Sequence, residues 1–105
     1  MIFRRNRFAG VVSRQLDVFA EDEAHGLLEE VRDAKARYDR SERDDAEELY
    51  GDYVDVVETG TELLADIRDA YAATLPEGTD ELYVAEFNRG VARRWKAFAV
   101  EIENR

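Results

Sequence analysis

An all-α fold, an antiparallel up-down-up bundle of three long helices, is what this sequence predicts. Three observations lead there. Apolar residues recur at three- and four-residue intervals through most of the chain, proline occurs once, at Pro76, and no stretch carries a convincing strand pattern. With 105 residues and no cysteine, the chain reads as one domain, 1–105, large enough to bury a core without disulfides.

The stretch from Ser41 to Pro76 organises the prediction. On a helical wheel Ala46, Leu49, Tyr53, Val56, Val57, Leu63, Leu64, Ile67, Tyr71 and Leu75 gather with Gly60 on one side. Glu47, Glu48, Asp55, Glu58, Glu62, Asp66 and Asp69 gather on the other. At ~1.5 Å per residue such a helix runs about 50 Å, too long for a compact domain unless other long helices lie along it.

The first helix is expected over about 7–40. Asn6 can cap its start, and Ala9, Val12, Leu16, Phe19, Ala20, Leu27, Val31, Ala34 and Tyr38 follow one face. Glu23 falls on that apolar face and Gly26 follows closely, so a bend is expected near 23–26. The second helix, about 42–75, opens with Ser41 as cap and with Glu42, Asp44 and Asp45 at the positive end of the helix dipole. Pro76 ends it. After a Pro-Glu-Gly turn, Thr79 or Asp80 caps a third helix over about 79–103. Its seam is Val84, Phe87, Val91, Trp95, Phe98 and Ile102, and its back is Arg89, Arg93 and Lys96. Gly60, on an apolar seam, argues for a close helix–helix approach, whereas Gly51 on the acidic back has no evident packing reason.

The net charge of -10 argues against a nucleic-acid partner, because that partner rewards a basic surface. The charge is also uneven: residues 1–16 hold +4, residues 17–81 hold -16 and residues 82–105 hold +2. Phe3, Arg4, Arg5, Arg7 and Phe8 mix aromatics and cations as surface-binding segments do, but the segment is short and the body acidic. Neither a signal peptide nor a membrane span stands out, and a cytoplasmic protein is expected.

Two kinds of chemistry can be drawn from the residues. Asp22-Glu23-Ala24-His25 is an acid-x-x-His element, and Glu58 and Glu62 would lie near its level, which together could form a ferritin-like di-metal carboxylate site completed across a dimer. His25, Glu58 and Glu62 all point away from the predicted seams, so a surface histidine and solvated acids are the plainer reading. No nucleophile with a base partner and no phosphate loop is present, so neither a catalytic set nor a cofactor is predicted.

Association is the stronger expectation. Val11, Val18 and Leu28 lie off the main seam of the first helix, and Arg89, Arg93 and Lys96 offer a basic stripe to acids elsewhere. The sequence therefore predicts a non-enzymatic protein–protein interaction or scaffold module that forms a homodimer. An acidic docking module for a basic protein is the alternative beside the metal protein.

Overall fold

The computed structural model describes the backbone of residues 7–23 and 25–105, and the side chains of these except Asp22, Glu23 and His25. The proposed Asn6 cap and the Phe3, Arg4 and Arg5 part of the basic tip lie outside the described residues. Those described form five α-helices, α1 (Ala9–Val18), α2 (His25–Asp39), α3 (Ala46–Ala72), α4 (Thr79–Arg94) and α5 (Ala99–Glu103), and no strand.

The first expected helix contains a π-turn, Phe19–Glu23, just before the position where a bend was expected. An extra residue in one turn rotates the side chains that follow. Phe8, Val12 and Leu16 face α4, whereas the apolar side of α2, with Leu27 and Val31, packs on α3. The turn thus re-aims one seam from one neighbour to the next.

Residues 42–45 are not helical. The Ser41 amide donates to the Tyr38 carbonyl (3.0 Å), closing the end of α2, and the Asp45 carboxylate accepts from the Glu42 amide (2.9 Å). Ser41 therefore belongs to the end of one helix rather than the start of the next. α3 runs 27 residues to Ala72, and Pro76 turns the chain. At the turn Gly78 adopts φ 93°, a left-handed geometry that glycine reaches without Cβ strain. The Asp80 carboxylate accepts from the Gly78 amide at 3.0 Å.

The third expected helix does not reach 103 unbroken. It ends at Arg94, Trp95 is extended (φ −138°, ψ 97°), and a 3₁₀ turn, Lys96–Phe98, leads into α5. The indole packs edge-on against Phe19 (5.5 Å between centroids) and Phe98 (6.2 Å). Turning there brings Phe98 and Ile102, both fully buried, onto α3. One guanidinium marks the reversal: Arg68 Nη1 donates both to Asn88 Oδ1 in α4 (3.0 Å) and to the Ile102 carbonyl in α5 (3.1 Å).

Core contacts set the pairing. Tyr38 meets Tyr50 while Leu27 lies by Gly60, so α2 and α3 run antiparallel. Tyr71 meets Tyr83 while Arg68 meets Asn88, so α3 and α4 also run antiparallel. Phe8 meets Tyr83 while Asp17 meets Arg94, so α1 and α4 run parallel. The radius of gyration, 15.7 Å, exceeds the roughly 13 Å of a compact chain this size. Tyr38, Tyr50 and Tyr53 pack together where α2 ends and α3 begins.

Candidate interaction groove

α1 packs on α4, and α4 packs on α3, but α1 and α3 make little backbone contact with each other. Between them lies a groove of about 490 Å³, lined by Val11, Arg14, Gln15, Val18 and Phe19 from α1 and the π-turn, and by Leu63, Asp66 and Ile67 from α3. Phe19 is the buried floor; Val18 is 47% exposed and Leu63 37%. Leu63 is a correction to the sequence reading, which places it on the buried seam. Helical spacing sets it at the seam's edge, and the neighbour it faces stands too far off to cover it.

Val11 and Val18, expected to serve association, thus come together in one groove. Leu28 does not line this groove; it lies on α2, half-buried against the core. The basic stripe is also dispersed. Arg89 and Arg93 both reach back to the buried carboxylate of Glu86, at 2.8 and 3.5 Å. Lys96 lies beyond the break at Trp95, on a separate shelf with Val31, Arg32, Lys35, Tyr53 and Ala97. There the Lys35 ammonium binds the Asp39 carboxylate at 2.9 Å, and that hydrogen bond raises its pKa.

The acids of α3 named from the wheel are all exposed, Glu58 and Glu62 among them. The side chains of Asp22 and His25 lie outside the described residues. Among the described residues no three His, Asp or Glu side chains converge in a way that could hold a metal ion.

Sequence reasoning missed a set of buried polar groups. Arg68 is only 3% exposed, and its Nε also donates to Asp69 at 2.8 Å. Thr61 is fully buried and donates to the Val57 carbonyl at 2.8 Å. Tyr83 is fully buried between Phe8 and Tyr71, and its hydroxyl donates to Gln15 Oε1 at 2.7 Å. Burial drives the Tyr83 pKa up to about 12; the Gln15 hydrogen bond opposes this and nearby Tyr71 adds to it. That bond also fixes Gln15 at the groove wall. Gly90 is a second glycine with a packing role: a Cβ there would stand 3.0 Å from Val12 and 3.1 Å from Leu16, so its absence lets α1 and α4 close.

Comparisons with protein-family models, with curated proteins and with solved structures found no match to the chain. Among the described residues no helix is long and apolar enough to cross a membrane.

Proposed function

We propose that this protein is a non-enzymatic helical interaction module, an up-down-up three-helix bundle that self-associates through the groove between α1 and α3. The observation that carries the reading is the apolar strip of Val11, Val18, Leu63 and Ile67 between α1 and α3, which the described residues leave open: Val18 and Leu63 are exposed, and Val11 and Ile67 are partly buried beside them. Burying apolar surface there contributes about 25 cal/mol per Å², and a strip at helical spacing on two walls suits a partner's helical surface.

Sedimentation over a concentration series tests the reading. The wild-type chain is expected to associate at micromolar concentration, and Leu63→Glu to remain monomeric with unchanged helicity. A wild-type chain that stays monomeric at hundreds of micromolar overturns it, as does a Leu63→Glu variant that associates normally.

A further inference from the structure

We infer that the two copies pair about a two-fold axis lying along the groove, so that α1 of each covers α3 of the other and Arg14 meets the partner's Asp66. The inference rests on the self-association reading above and adds the register and the residues that specify it.

Arg14 and Asp66 stand on opposite walls of the same groove, the cation on α1 and the carboxylate on α3. Both are exposed, and among the described residues neither takes part in an ion pair. They also lie at one height. Val12 and Leu16, flanking Arg14, approach Gly90 on α4, while Arg68, near Asp66 on α3, bonds Asn88 on the same helix.

The axis of a symmetric pair lies in the contact plane. Two orientations then differ in what they oppose. An axis across the groove would set α3 against its own copy, bringing the exposed row of Glu62, Asp66 and Asp69 against an identical row. Like charges held face to face are strongly unfavourable. An axis along the groove sets α3 against α1, whose groove-lining charge is Arg14. A residue keeps its height under that rotation, so each Arg14 arrives opposite an Asp66, twice per dimer. Val18 and Ile67 of one copy then close over Leu63 and Val11 of the other, with the ion pairs at the rim.

The test uses two charge reversals, Arg14→Asp and Asp66→Arg, followed by sedimentation and native mass spectrometry. Both sites are exposed, so helicity should be kept. Each variant alone opposes like charges at both contacts and should associate about tenfold or more weakly than wild type. In a mixture, the Arg14→Asp chain carries acids on both groove walls and the Asp66→Arg chain carries cations on both. Every contact between the two then joins opposite charges, so they should form a heterodimer of near wild-type affinity. The chain carrying both reversals should dimerise again.

Variants that each dimerise like wild type overturn the inference, and so does a mixture that fails to recover. A dimer that Leu63→Glu abolishes but charge reversal leaves untouched overturns this register and leaves the groove reading standing. A monomeric wild type overturns both.

Discussion

The same substitution, glycine to alanine, should have opposite effects at two positions of α3. At Gly51 an added Cβ meets nothing within 4 Å, and the residue is exposed. Alanine there gains only the helix-propensity difference, about 1 kcal/mol. At Gly60 the added Cβ would stand 2.7 Å from both Cε1 and Cζ of Phe98 and 3.3 Å from Cδ2 of Leu27. Phe98 is fully buried, so its ring has little room to yield. Overpacking of this kind costs ~1–3 kcal/mol, and a contact on two atoms of a confined ring belongs near the top of that range. Subtracting the propensity gain leaves Gly60→Ala destabilised by about 2 kcal/mol, which sets it about 3 kcal/mol below Gly51→Ala.

Thermal unfolding followed by circular dichroism reads this directly. At ~4–8 °C per kcal/mol, Gly51→Ala should raise Tm by about 5 °C and Gly60→Ala should lower it by about 10 °C. Phe98→Leu removes the two opposing ring atoms. It will cost stability by itself, but adding Gly60→Ala to it should then be neutral or favourable. If Gly60→Ala stabilises the wild-type chain as Gly51→Ala does, the approach of Phe98 to α3 is refuted. The placement of α5 that depends on it is refuted as well.

Two further outcomes follow from the buried polar groups. Arg68→Ala removes the shared donor of Asn88 and Ile102 and leaves a buried amide short of a partner, so stability should fall by roughly 2–3 kcal/mol. Hydrogen exchange should then quicken in residues 99–103 well before the middle of α3; uniform quickening would show that Arg68 does not fasten α5. Tyr83→Phe loses the hydroxyl bond to Gln15 and should cost about 1 kcal/mol near neutral pH. The folded chain holds the Tyr83 proton up to about pH 12, whereas an unfolded tyrosine releases it near 10. The group's contribution is thus constant below pH 10, and the folded chain loses stability as pH rises from 10 to 12, because burial penalises the ionised hydroxyl. Wild type should lose its advantage over Tyr83→Phe across that window; parallel alkaline declines would place Tyr83 in water.

What the sequence made legible follows from what helical periodicity can carry. It marks which residues share a face, so most of the seam of α3, the exposure of its acids and the close approach at Gly60 could be read, whereas its end could not: α3 stops at Ala72, ahead of the Pro76 expected to end it. It does not show how far a neighbouring helix stands from that face, so Leu63 reads as buried when it is not. Nor does it reveal a break made by packing. No proline or glycine marks Trp95; the chain turns there because the indole lodges against Phe19 and Phe98, residues far apart in sequence or across the turn. The interior polar groups were hidden for a related reason. Arg68 looks like any exposed cation until α4 and α5 together supply its acceptors. Val11 and Val18 were legible as surplus apolar residues, but Leu63 and Ile67, which join them in the groove, fall on the α3 seam and so read as core.

The turn at Trp95 also helps explain why the groove lies where it does. α2, α4 and α5 all pack on α3. Phe98 takes the place over Gly60, and the Ile102 carbonyl takes Arg68, so the C-terminal segment covers the part of α3 that faces away from α1. Had α4 continued straight to 103, Ile102 would have run on along the N-terminal half of α3 and left Arg68 without its second acceptor. Instead Phe98 and Ile102 pack on that side, and among the described residues no helix lies over the Leu63–Ile67 edge. That edge borders Glu62 and Asp66, so deep burial would strand carboxylates away from water. The proposed two-fold contact would meet both demands: it would cover the apolar strip and keep the acids at a rim within reach of a second copy's Arg14. Charge at the edge therefore limits how the edge can be covered, and Asp66→Arg should shift partner choice more than it shifts the stability of the single chain.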